Sequence, residues 1–92
     1  MDEIEFRYDT QLLLDADEPS DDLEDELDEY IRTHFKGDSL LVIADEDNGV
    51  TTAKLHFHTN EPWQILEYCR SLGEIYDIVV EDMVRQSRGL KG

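Results

Sequence analysis

Polar and apolar residues follow two rhythms along this chain. Ile4, Phe6 and Tyr8 alternate with Glu5, Arg7 and Asp9, and the run closes on Leu12-Leu13-Leu14. Alternation at period two followed by an apolar stretch predicts a strand over residues 4–14. Asp15 to Ser20, which contains Pro19, reads as a connecting loop. Leu23, Leu27, Tyr30, Ile31 and Phe35 then recur at helical spacing and make one apolar stripe. Ser20 is the expected N-cap, and the charges of Asp21, Asp22 and Glu24 suit the positive end of the helix. Lys36 and Gly37 are expected to close it. The acidic run from Asp15 to Glu29 reads as the solvated outer face of that helix.

Ser39 to Ala44 is a continuous apolar run that predicts a short strand of the buried type, and the period-two rhythm returns from Thr51 to Thr59. Between them lies Asp45-Glu46-Asp47-Asn48-Gly49. Asn-Gly tolerates the positive φ of a tight turn, so the two strands form a hairpin. As a calcium loop the same segment lacks the third acidic ligand before the glycine and the distal glutamate. Thr59 or Asn60 caps a second helix with Pro62 in its first turn. Ile65, Leu66, Cys69 and Leu72 form its buried stripe, with Cys69 as a small core residue, and Gly73 ends it. A last strand runs over 75–83. The tail, 85–92, is polar and basic, and no fixed structure is expected there beyond a short continuation.

Strand, helix, strand, strand, helix, strand is the order of a ferredoxin-like βαββαβ two-layer α+β sandwich. Right-handed crossovers place the first and third strands together in the middle of an antiparallel four-stranded sheet, with two helices on one face. The chain reads as a single domain over 1–92, with its core at about 4–84.

That placement fixes what the uncovered face carries. On the third strand Ala53, Leu55 and Phe57 must face the helices, so Thr52, Lys54, His56 and His58 face away. The two histidines then lie roughly 7 Å apart along the strand. On the first strand the same logic puts Arg7, Asp9 and Gln11 on the open side, with Asp9 in reach of one or both imidazoles. Two imidazoles and a carboxylate suit zinc or another divalent metal. They equally suit a carboxylate-oriented histidine acting as general base or phosphoryl acceptor, or plain half-buried polar surface. His34, near the end of the first helix, reads as surface.

Composition narrows the partners. With 24 acidic and 8 basic side chains the formal net charge is −16, which repels nucleic acid phosphates and anionic membranes. A single cysteine, Cys69, allows no internal disulfide and suits a reducing compartment. No apolar run approaches the roughly 20 residues of a membrane span, and Met1-Asp2-Glu3 is unlike a signal peptide. The expected location is the cytoplasm, without membrane insertion. No phosphate-binding loop, dinucleotide fingerprint or serine elbow is present, so a complete enzyme is not expected.

Several stretches resemble the central domain of bacterial fatty acid kinase catalytic subunits, within the dihydroxyacetone kinase-related group often described as DAK- or DegV-like kinases. They are Phe6-Arg7-Tyr8-Asp9-Thr10-Gln11, Gly37-Asp38-Ser39-Leu40-Leu41-Val42-Ile43, Lys54-Leu55-His56-Phe57-His58-Thr59-Asn60-Glu61-Pro62, Leu72-Gly73-Glu74-Ile75 and Val80-Glu81-Asp82-Met83. The resemblance covers about residues 5–88, and Lys-x-His-x-His-Thr-Asn-x-Pro is its most specific part. It implies one domain of a larger protein in which ATP and magnesium bind a separate domain. A fatty-acid-binding partner protein would present the acyl carboxylate, and the central domain would supply essential side chains and a homodimer interface. His56 and His58 match the two functional histidines of the pattern. Its cysteine is replaced here by Asp9 and a neighbouring glutamate by Gln11, so metal ligation survives more readily than covalent thiol chemistry. The isolated chain is expected to be inactive as a kinase. Leu13, Leu41, Ile43 and Val79 would add apolar surface for homodimerisation or for docking the ATP-binding domain.

Overall fold

The computed structural model describes residues 4–92; the acidic Met1-Asp2-Glu3 segment lies outside them. The elements run β1 (Tyr8–Ala16), α1 (Leu23–His34), β2 (Gly37–Asp47), β3 (Val50–Thr59), α2 (Pro62–Leu72), β4 (Gly73–Asp82) and a short α3 (Met83–Ser87). Four antiparallel strands form one sheet in the order β2-β3-β1-β4. The expected α+β sandwich is present, with β1 and β3 at the centre. α3 is an addition after it.

One face of the sheet is the core. Leu12 and Leu14 of β1, Val42 of β2, and Ala53, Leu55 and Phe57 of β3 pack with Leu23, Leu27 and Ile31 of α1 and with Ile65 and Cys69 of α2. Tyr30 of α1 and Tyr68 of α2 stack with ring centroids 3.9 Å apart, joining the helices on their outer side. His34 stacks on Tyr30 and is a surface residue as expected. Cys69 is fully buried, and burial pushes its thiol up to about 12, which leaves it inert at neutral pH.

Several boundaries move, each for a reason visible in the pairing. β1 begins at Tyr8 rather than Ile4, because Tyr8 pairs with Thr59 on one side and Asp82 on the other, the last residues of both neighbours. Before Tyr8 no strand remains to pair with. The Arg7 N–H instead donates to Asn60 Oδ1, and the Arg7 carbonyl accepts from the Met83 N–H. Asp15 and Ala16, expected in the loop, continue the ladder opposite Thr52, Glu74 and Gly73.

Ser20 does not cap α1. Its Oγ accepts from the Asp22 N–H, closing a turn before the helix, and Asp22 takes the N-cap position. Gly37 does not end α1 either; it opens β2. A Cβ there would collide with the His58 carbonyl and the Phe57 ring, so the glycine answers a close approach of β2 to β3. Gly73 does end α2, as its C-cap, and also opens β4, where a Cβ would meet the Asp15 carbonyl. The hairpin turn is as expected, with Asn48 at φ 53° and Gly49 at φ 80° between the paired Asp47 and Val50.

Candidate functional site

The strict alternation of β3 decides the site. Thr51, Ala53, Leu55, Phe57 and Thr59 are buried under the helices, while Thr52, Lys54, His56 and His58 project from the opposite face. On β1, Thr10, Leu12 and Leu14 are buried, which turns Asp9, Gln11 and Leu13 to that same open side. Register then sets Asp38, His58, Asp9 and Glu81 in one row across the four strands, with Leu41, His56, Gln11 and Val79 in the next.

Within these rows the side chains converge. His56 Nε2 and His58 Nε2 are 3.0 Å apart. Asp9 Oδ1 lies 3.4 Å from His56 Nε2 and 3.8 Å from His58 Nε2. Gln11 Nε2 donates to both Asp9 oxygens, at 3.4 and 3.3 Å. All three expected site residues are half-buried, with side chains 21–32% exposed. The sheet therefore brings Asp9, His56 and His58 together, as the adjacency of the first and third strands requires.

The donor set can be tested against a metal. Zinc holds nitrogen and oxygen ligands at about 2.0–2.1 Å, so the edges of its tetrahedron are about 3.3–3.4 Å. The three edges here are 3.0, 3.4 and 3.8 Å, around that value. Two imidazole nitrogens and one carboxylate oxygen, with a fourth corner facing solvent, fit a divalent ion without rearrangement of the backbone. Among the described residues this is the one cluster of three potential ligands close enough to share an ion.

Sequence reasoning missed Asp38. Its Oδ1 lies 3.5 Å from His58 Nδ1, on the side of the ring away from Asp9. The strand was expected to begin at Ser39, and the irregularity of β2 that brings Asp38 into the row leaves no mark in the hydrophobic pattern. Lys54 lies on the same open face, opposite Leu13 and Ile43.

The motif carriers of the family resemblance, Asp9 and the two histidines, are thus the converging groups. A family model for the FakA-like middle domain of fatty acid kinase matches residues 5–90. The chain belongs to this family. Protein YloV of Bacillus subtilis is 36% identical over 84 residues, 91% of this chain and 14% of that protein. Uncharacterised proteins of Staphylococcus saprophyticus and Staphylococcus haemolyticus are 42% and 40% identical over 52 residues, 56% of this chain and 9% of theirs. This FakA-like middle domain therefore spans a small part of the relatives it matches. No helix among its described residues is long and apolar enough to cross a membrane.

Proposed function

We propose that this chain is the middle domain of a phosphotransferase related to dihydroxyacetone and fatty acid kinases, and that it contributes His56, His58 and Asp9 to phosphoryl transfer. The convergence of these three donors on the open face supports the reading. ATP and magnesium bind a separate domain, since this chain has no loop that cradles a triphosphate; relatives several times its length leave room for one. A fatty-acid-binding partner protein is the proposed source of the acceptor carboxylate.

Asp9, His56 and His58 hold zinc or another divalent metal, which when bound supplies compensation for the negative charge of the transferring phosphoryl group. Without a metal, the same imidazoles in their protonated form donate hydrogen bonds to the phosphoryl oxygens and Asp9 orients them. Docking of the ATP-binding domain over the open face excludes water. In either form the chemistry needs both histidines and no thiol, in keeping with Asp9 at the cysteine position of the family pattern.

Replacing His56 or His58 by Ala in the complete multidomain protein is expected to lower phosphoryl transfer by about 100-fold or more. Unchanged turnover in either variant would defeat the proposal. The isolated 92-residue chain should hydrolyse no ATP. A second reading is a non-catalytic regulatory module that binds a metal or small ligand and dimerises. It is favoured by Leu41, Ile43 and Val79, which flank the site 56%, 53% and 39% exposed. Under it the histidine variants keep full turnover and lose ligand binding or self-association.

A further inference from the structure

β2 pairs with β3 in a continuous register from Asp47 opposite Val50 to Leu41 opposite His56. Continued by one more alternate pair, this register would set Ser39 opposite His58. It does not continue: the pairing shifts between Asp38 and Leu41, and Asp38 stands opposite His58 with Gly37 opposite Thr59. One extra residue has been accommodated in β2, and Ser39 absorbs it in the left-handed region at φ 57°. A left-handed conformation costs an L residue about 1–2 kcal/mol. Without the bulge Asp38 would fall one place along the ladder, opposite Thr59, and point to the helices, because a one-residue slip exchanges the two faces.

The bulge thus does two things: it turns Asp38 to the site face and brings its Oδ1 to 3.5 Å from His58 Nδ1. The contacted atom defines the role. Asp38 meets the ring at Nδ1, whereas Asp9 and His56 meet it at Nε2, so Asp38 is not a further ligand at the same point. Among the described residues no other side chain lies within ion-pair or hydrogen-bond reach of that Nδ1. A bare Nδ1 beside a carboxylate oxygen would set two lone pairs against each other; a protonated one makes a charge-assisted contact.

We infer that Asp38 is a positioning residue: its carboxylate, 3.5 Å from Nδ1 of His58, favours the tautomer protonated there and leaves Nε2 as the lone-pair donor on the side of Asp9 and His56. The 3.0 Å contact between the two rings follows, with His56 Nε2–H donating to His58 Nε2. The consequence for metal binding rests on the reading given under Proposed function; the ring tautomer does not. A carboxylate behind a metal-binding imidazole fixes its tautomer and raises its basicity.

The experiment has a metal-free and a metal-bound arm on the 92-residue chain. Long-range nitrogen–proton NMR at alkaline pH, where imidazoles are neutral, reads the tautomers directly. Wild type should show His58 protonated at Nδ1 and His56 at Nε2. Asp38→Ala should move His58 towards the Nε2–H form, and Asp38→Asn, whose amide oxygen still accepts, should largely restore the wild-type tautomer. If Asp38→Ala does not keep the wild-type amide spectrum, Asp38→Asn and wild type carry the test. A wild-type His58 protonated at Nε2, or a tautomer indifferent to Asp38→Ala, would overturn the inference. In the second arm, zinc titration should give about tenfold weaker binding in Asp38→Ala. Equal zinc affinity in both proteins would overturn the link to the metal. Absence of zinc binding in wild type, with the tautomer still governed by Asp38, would sustain the positioning role and remove the metal from the proposed function.

Discussion

Asp9 and Asp15 stand on the same central strand and point to the same open face, yet their carboxylates have opposite surroundings. Asp15 Oδ1 accepts from the Thr52 hydroxyl at 2.7 Å and from the Tyr76 hydroxyl at 3.0 Å. That bond to Asp15 is the main reason the Tyr76 hydroxyl is held above the usual phenol range. Among the described residues no hydroxyl donates to Asp9. Its partners are the long contacts from Gln11 and the two imidazole nitrogens beyond them. A carboxylate closed by short neutral donors is a piece of structure. One facing two imidazole nitrogens at 3.4 and 3.8 Å still has capacity for a cation.

Removing each carboxylate should separate the two roles. Asp9→Ala deletes one of three proposed ligands, and zinc affinity should fall by about 100-fold or more, at or above the upper limit typical of outer-shell partners. Its thermal midpoint should hardly change, since no short hydrogen bond is lost. Isothermal titration and a melting curve on one sample read both. Asp15→Ala should do the reverse. Two half-buried hydroxyls lose their acceptor, so Tm is expected to drop by about 5 °C while zinc affinity stays within twofold. A zinc defect in Asp15→Ala would abolish the distinction between the two ends of the face.

The distinction was only half visible before folding. The alternation of Thr52 to Thr59, fixed by Leu55 and Phe57, sufficed to place both histidines on the open face. The βαββαβ order sufficed to put Asp9 beside them, because chirality leaves few ways to arrange these elements. Local irregularities were not legible. Gly37 looks like a helix stop but serves a close strand contact with Phe57 and His58, distant in sequence, and Gly73, which does end α2, also meets Asp15 in a way no local pattern shows. The pairing of Asp15 with Tyr76 spans 61 residues and crosses a strand boundary that the polar run Asp15–Ser20 concealed. Asp38 entered the site through a register shift, which no pattern of polarity encodes.

That shift can be probed where it is strained. Ser39→Gly removes the steric penalty of φ 57° but gives the unfolded chain more freedom, so a net gain of about 0.5 kcal/mol is expected. Because the bulge remains, the tautomer of His58 and the zinc affinity should be unchanged. A loss of zinc affinity on this substitution would mean that the Ser39 side chain, not the inserted residue, organises the site.

Asp82 extends the comparison to a carboxylate closed by charged and backbone donors. It accepts from Arg7 Nε at 2.9 Å and pairs with Arg7 Nη2 at 2.8 Å, and its other oxygen accepts from the N–H groups of Val84 and Arg85, capping α3. Chiefly through the Arg7 hydrogen bond, its pKa is held below the usual carboxylate value. A folded-state pKa below the unfolded one means that the stabilisation is complete above the ordinary value of about 3.9 and fades as pH falls through the folded value. Amide exchange at Val84 and Arg85 should therefore accelerate selectively under acid, before the central strands lose protection. Asp82→Asn still offers a capping oxygen but no charge, so α3 should persist at neutral pH and its protection should no longer respond to acid. The effect is local and small, since α3 buries no side chain of its own. An acid response surviving in Asp82→Asn would assign it to another group, and the ordering of α3 would then owe nothing to the ionisation of Asp82.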